Sequence, residues 1–286
     1  MSLLRSAYRE VVFGGHLLAL GTASIAATAA LLIGKSPTWQ LLLMAYLFSY
    51  GAYTVNRSAD IEQDAVSSPE RTSHLQGRKR YLTAISAICF ALGYLLAAFR
   101  NVYFLLALLA PLGLTLAYSV GSKRMVRIVG VSRLKEKLLV KNAVTAFGWS
   151  LIPVLVGFYY LSFPVQLLLL APFVFMRLLA NTIFFDVRDV KADSSFGIKT
   201  LPSAYGIDAS FSSMAILDVM SAVYLVPLVA AGLLPVAALV LLGLPVYSFA
   251  YRYLSRRANA NLDLLCDVVA DGEYILWGPL LYLARI

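Results

Sequence analysis

Charge is scarce in this chain. Of its 286 residues, 14% are Asp, Glu, Lys or Arg and 60% are hydrophobic. Soluble domains usually run to roughly 25% charged and 45–50% apolar, so a soluble enzyme is excluded and an integral membrane protein is expected. Cysteine is limited to Cys89 and Cys266, both within or beside apolar runs, which excludes a disulfide framework. Histidine is limited to His16 and His74, too few for an imidazole-based metal centre. Acidic residues number 15 against 24 basic ones, a net charge of +9. The basic residues are dispersed over separate segments without a nucleic-acid-binding module, so no nucleic-acid partner is expected.

What the chain has instead is long apolar runs. A hydrocarbon core ~30 Å thick takes about 20 apolar residues per helical crossing. Nine runs of that order lie near residues 11–34, 38–55, 81–99, 102–120, 139–160, 164–185, 209–231, 233–254 and 268–284. Lys and Arg gather on the cytoplasmic side of membrane proteins. Alternating the connections between two sides puts 20 of the 24 on one side, three (Lys35, Arg100 and Arg285) on the other, and Arg177 inside a run. The prediction is an all-α, multi-pass protein of the cell membrane. It has nine transmembrane helices around a central cavity, a cytoplasmic amino terminus, and one domain over residues 1–286. The first run, after Arg5 and Arg9, is read as a retained helix instead of a cleaved signal.

Connections on the sparse side are nearly absent. On the basic side three run to about twenty residues or more, from Arg57 to Arg80, Gly121 to Lys141 and Val187 to Asp208, and long polar loops are where sites and covers are placed. Two carboxylate strings stand beside these loops. Asn56, Asp60 and Asp64, four apart, share one helix face with Tyr53 a turn earlier, and Asp186, Asp189 and Asp193 repeat the pattern. Carboxylates at a bilayer boundary are costly unless hydrated, paired or bound to a cation. Mg²⁺ takes oxygen ligands and is usually held by one or two carboxylates plus substrate phosphates, so the two strings read as paired Mg²⁺ sites for a diphosphate. The alternative is that they mark helix ends and pair with Arg57, Arg71 or Arg188. The strings are separated by four crossings, a hint of parallel duplication that sets them across one cavity opening to the cytoplasm.

At these residues the chain resembles the UbiA superfamily of membrane-embedded prenyltransferases. The family's Asn-x3-Asp-x3-Asp string is met by Asn56, Asp60 and Asp64, and its Pro-x-Arg element by Pro69 and Arg71. The second motif is met by Asp186, Asp189 and Asp193, followed by Gly197, Thr200, Leu201, Pro202 and Gly206. Arg57 stands where many members have Asp, and Ser67 and Thr72 where Asn and Pro are common. In the family's Tyr-x3-Lys element Tyr118 precedes Lys123 by five residues, with Ser119 at the correct spacing. Five residues turn a helix about 140° from alignment, against about 40° for four, so Lys123 is the firmer diphosphate contact.

The resemblance implies Mg²⁺-dependent transfer of a prenyl group from a prenyl diphosphate to a lipophilic acceptor within the bilayer, the active site facing the cytoplasm. It implies metal ligation by Asn56, Asp60, Asp64, Asp186, Asp189 and Asp193. Arg71 and Lys123 would bind diphosphate, with Tyr53, Tyr118, Ser119, Lys191 and Lys199 as further contacts. A long donor, geranylgeranyl or similar, is expected because each buried CH₂ contributes roughly 0.8 kcal/mol. A quinone-type aromatic acceptor leads, with a digeranylgeranylglyceryl phosphate-type ether-lipid synthase as the alternative. The reading from another class is a transporter or lipid-phosphate carrier. Phe147, Trp149, Phe173, Phe175, Phe184, Phe185 and Tyr224 fall in runs that can line a cavity. Asp263, Asp267 and Asp271 also lie four apart, but no companion motif follows them, so helix-end solvation or pairing with Arg256 and Arg257 is expected.

Overall fold

The structure, a computed structural model, describes residues 3–59, 61–119 and 140–285, and every regular element among them is helical. Each apolar run is recovered as helix, although several are interrupted. Helices α1 (Leu3–Phe13) and α2 (His16–Leu32) meet at Gly14–Gly15, where Gly15 adopts φ +85°, and the two are bent by 56°. The first run therefore starts within a separate helix. Arg5 and Arg9 share α1 with exposed Leu3, Tyr8 and Val11, the composition of a helix lying in the membrane interface. Glu10 ties α1 to Arg78 at 2.6 Å and to His74 at 3.2 Å.

Helix α3 (Trp39–Ala59) is followed by short α4 (Ile61–Ser67) and α5 (Pro69–Gln76), then α6 (Lys79–Arg100). The fourth run is broken at Leu108 into α7 (Val102–Ala107) and α8 (Leu109–Ser119), just before Pro111. The fifth is broken at Leu151 into α9 (Val140–Ser150) and α10 (Ile152–Tyr160), where Pro153 takes the second helical position. Proline lacks the N–H that a continuous helix needs, so both breaks have a local cause. Then come α11 (Val165–Ser195), α12 (Leu201–Tyr205), α13 (Ile207–Ala230), a 3₁₀ segment (Val236–Leu242) leading into α14 (Gly243–Ser255), a π-helical segment (Leu265–Ala270) and α15 (Asp271–Ala284). Among the described residues, five helical stretches are long and apolar enough to cross a membrane, and six if the bent α1–α2 pair counts as one.

Two features position the site. Helix α11, at 31 residues, spans about 46 Å at 1.5 Å per residue, well beyond the ~30 Å of a hydrocarbon core. Its apolar stretch runs to Phe185 and its last turns carry Asp186, Asp189 and Asp193. The second feature is close packing of α2 against α15. A Cβ on Gly21 would lie 2.5 Å from Cβ of Tyr274, and Gly278 N–H donates to Oγ of Ser24 at 2.8 Å. Small residues allow this approach of helix backbones in lipid. Around the seam sits the main apolar core, including Ile25, Ala29, Leu170, Phe173 and Trp277, all fully buried.

Candidate active site

Asp186, Asp189 and Asp193 lie on one face of α11, and each meets a cation. Lys141, at the start of α9, donates from Nζ to Asp186 Oδ1 at 2.8 Å and to Asp193 Oδ2 at 3.4 Å. Its neighbour Asn142 donates to Asp186 Oδ2 at 2.8 Å. The side chains of Asp186 and Asp193 are 1% and 0% exposed; carboxylates so deeply buried are tolerated only when paired and hydrogen-bonded. Asp189 is gripped bidentately by Arg188, Nε to Oδ1 at 2.7 Å and Nη2 to Oδ2 at 3.1 Å. Arg188 Nη1 reaches on to Asp267 Oδ1 at 2.7 Å.

From the other side the end of α3 supplies Tyr53, Asn56 and Arg57, with the Arg57 guanidinium 4.9 Å from the Tyr53 ring centroid. These residues face a cavity of about 360 Å³. Its polar end is lined by Asn56, Lys141, Asp186, Arg188, Asp189 and Asp271, and its body by Met44, Phe48, Phe104, Leu108 and Val156 down to Leu41. From Asn56 to Leu41 along α3 is about 22 Å. One end of the cavity suits a charged, metal-binding group and the rest suits a long apolar chain.

The donors at the polar end fit Mg²⁺ by their chemistry. Oxygen from Asn56, Asp186 and Asp189 lines the cavity, with no cysteine or histidine among the described lining residues. Among the described residues no three carboxylate, Cys or His side chains gather closely enough to hold a metal unaided. Magnesium does not require that, since substrate phosphates and water complete its shell.

The model of the UbiA prenyltransferase family matches residues 17–265. This chain belongs to the UbiA family. The digeranylgeranylglyceryl phosphate synthase of Sulfurisphaera tokodaii is 27% identical over 192 residues, which is 65% of this chain and 64% of that protein's length. A UbiA homologue from Archaeoglobus fulgidus bound to DMAPP and Mg²⁺ superposes with a TM-score of 0.67 at 17% identity, covering 96% of this chain and 98% of that one. The apo UbiA homologue from Aeropyrum pernix K1 gives 0.67 at 17% identity, covering 94% and 96%. At that identity the solved structures establish the shared fold.

Within this UbiA fold the structure brings Tyr53 and Asn56 to the same cavity as Asp186 and Asp189, while Asp193 joins them through Lys141. Asp60 and Lys123, and the side chains of Asp64, Tyr118 and Ser119, lie outside the described residues. Lys191 and Lys199 are exposed and do not line the cavity. Arg71, expected to contact diphosphate, is not among the described residues that line the cavity: it is 1% exposed, with Nη1 on Asp267 Oδ1 at 3.0 Å. A guanidinium that far from water needs a carboxylate partner, and the π-helical segment before α15 supplies it. Asp267 is accordingly neither solvated nor paired with Arg256, whose partner is Asp208 at 3.6 Å. Of the aromatic candidates Trp149 and Phe185 line the cavity. Phe173 packs on Trp277, Phe184 packs on Tyr251, and Phe147 is half exposed.

Sequence reasoning missed Lys141, Asn142 and Asp271. Lys141 counted as one of many cytoplasmic-side cations; its only distinguishing mark was its place at the very start of an apolar run, beside an asparagine. Asp271 had a signal in the stripe it forms with Asp263 and Asp267.

Proposed function

We propose that the protein transfers a long prenyl group from a prenyl diphosphate to a membrane-resident glyceryl phosphate lipid, forming an ether bond. The observation that carries this reading is the continuity of the cavity, from the aspartate-bearing end of α11 into an apolar body about 22 Å long. An extended chain advances roughly 1.2 Å per bond, so a geranylgeranyl chain of about sixteen main-chain carbons takes about 18 Å. The name of the Sulfurisphaera tokodaii relative favours the ether-lipid acceptor over the quinone-type one. Arg57 on the cavity wall adds a cation toward the second phosphate such an acceptor carries, whereas Lys141 and Arg188 are engaged by the α11 carboxylates.

Asn56, Asp60, Asp64, Asp186, Asp189 and Asp193 would hold Mg²⁺, with Lys123 on the diphosphate. When bound, Mg²⁺ stabilises the charge that develops on the departing diphosphate. The apolar body fixes the donor so that its allylic carbon lies at the polar end. Of the aromatic rings lining the cavity, Tyr53 and Phe185 already lie under the guanidinium groups of Arg57 and Arg188, so Trp149 would shelter developing positive charge by cation–π attraction, and the surrounding helices keep water away. The acceptor hydroxyl oxygen forms the new bond to that carbon as the carbon–oxygen bond to diphosphate breaks, and the hydroxyl proton passes to the departing diphosphate. The motif carboxylates Asp186, Asp189 and Asp193 stand in the last turns of α11 and not at the helix breaks at Leu108 and Leu151, whereas carrier sites are built at interrupted helices near the midplane.

Purified protein in detergent with Mg²⁺, radiolabelled geranylgeranyl diphosphate and either acceptor class tests this. Label should pass to the geranylgeranylglyceryl phosphate. Exclusive labelling of a quinone-type aromatic overturns the acceptor assignment, a preference for dimethylallyl diphosphate overturns the long donor, and no transfer from any donor overturns the enzyme.

Nine crossings, with the amino terminus and both motifs on the cytoplasmic face of the cell membrane, complete the proposal, supported by the lysine and arginine asymmetry. Ser68 is buried, so the reporters are single cysteines at exposed Glu70 and Ser195, with Cys89 and Cys266 replaced by alanine. Both should react with an impermeant reagent from the cytoplasmic side only; labelling from opposite sides overturns the topology.

A further inference from the structure

Asp267 holds two arginines with one carboxylate oxygen. Its Oδ1 accepts from Arg71 Nη1 at 3.0 Å and from Arg188 Nη1 at 2.7 Å, three helical elements meeting at one atom. It stands in the six-residue π-helical segment before α15, an irregularity that recurs at functional sites. Its side chain is 9% exposed, those of Arg71 and Arg188 1% and 4%. Arg188 spends its other two donor groups on Asp189, which faces the cavity. Of these four groups Arg188 and Asp189 border the cavity, whose polar end also carries Asp186 and Asp271, and Asp263 Oδ1 lies 4.0 Å from Arg188 Nε.

We infer that Asp267 is a positioning residue that sets how strongly Asp189 binds a divalent cation, by drawing Arg188 away from it. The inference rests on the metal-dependent reading proposed above. An arginine fork on a carboxylate competes with a metal ion for the same oxygens. Asp267 weakens that competition by taking a share of the guanidinium, and its negative charge offsets Arg71 and Arg188 near the cavity. Neutralising it frees Arg188 Nη1 from that hydrogen bond, leaving Asp189 and, at 4.0 Å from Nε, Asp263 as the carboxylates beside the guanidinium; it also removes one negative charge near the cavity, and both changes oppose cation binding. The same loss of negative charge favours an anion. The signature is therefore opposite in sign for the two ligands, whereas a residue needed only for folding would weaken both.

The test measures Mn²⁺ binding by electron paramagnetic resonance in purified protein with inorganic pyrophosphate present and, in parallel, the KM for prenyl diphosphate at saturating Mg²⁺, where a loss of metal affinity no longer carries over to the diphosphate. Asp267→Asn should weaken Mn²⁺ binding about tenfold, within the range for partners of metal ligands, without raising that KM. Asp267→Glu should restore native binding, and in an Arg188→Gln background Asp267→Asn should have no further effect. Arg71→Gln, which leaves Asp267 entirely to Arg188, should tighten Mn²⁺ binding and carries the test if Asp267→Asn fails to fold. Equal Mn²⁺ binding by native protein and Asp267→Asn, or parallel weakening of metal and prenyl diphosphate, overturns the inference. Absence of Mn²⁺ binding by the native protein overturns the metal reading first and the inference with it.

Discussion

Replacing Asp189 with alanine should lower prenyl transfer by at least about a hundredfold, the upper range for losing a group that governs a bound metal, while leaving the protein folded. The separation of the two effects comes from the arrangement around Arg188. Asp189 is the most exposed of the three α11 carboxylates, at 16% for its side chain, and its removal does not orphan a buried cation, because Arg188 keeps Asp267. Asp186 and Asp193 offer no such separation, since both are fully enclosed against Lys141. Initial rates with saturating prenyl diphosphate, alongside the thermal unfolding of detergent-solubilised protein, measure the two quantities. Asp189→Ala with native turnover would remove the carboxylate from the mechanism.

The largest expected loss of stability lies away from the cavity. Arg177 in α11 is fully buried and is held by Glu273 of α15 at 2.7 Å, by Asp218 of α13, and by the carbonyl of Leu244 at 3.3 Å. Arg177→Met leaves the Glu273 carboxylate, 0% exposed, with only the Tyr251 hydroxyl at 3.4 Å. Breaking one side of a buried pair costs about 3–5 kcal/mol. Asp218 fares better because Arg252 Nη2 stays at 2.9 Å. The double variant Arg177→Met/Glu273→Gln should therefore recover most of the loss. Melting temperatures of the two variants in one detergent decide it; equal destabilisation would show that Glu273 is not the group left uncompensated.

Hydrophobic run length was enough to locate the helices that line the cavity, because lipid demands long apolar segments and leaves few alternatives. The motif spacing located Asn56, Asp186 and Asp189 on its wall. The interruptions were less legible. Gly14–Gly15, Pro111 and Pro153 lie inside or at the edge of uniformly apolar stretches, and apolarity does not report where the backbone changes direction. Partner choice was illegible. Arg71 and Asp267 are 196 residues apart, and nothing local distinguishes an arginine that serves topology from one enclosed against a distant aspartate. The same applies to Lys141, which neutralises two carboxylates that the spacing argument had reserved for a cation from outside the chain.

The seam between α2 and α15 has a bearing on how the molecule is made. Helix α2 packs most extensively against α15, which follows it in the chain only after all the intervening helices, and the close approach at Gly21 and Gly278 has to wait for it. Chains fold as they emerge, amino end first, so α2 meets α3 before the partner of its small-residue face has been made. The tightest helix contact of the fold is thus one of the later ones to form, and a variant truncated before α15 would keep α2 on α3 while losing that seam.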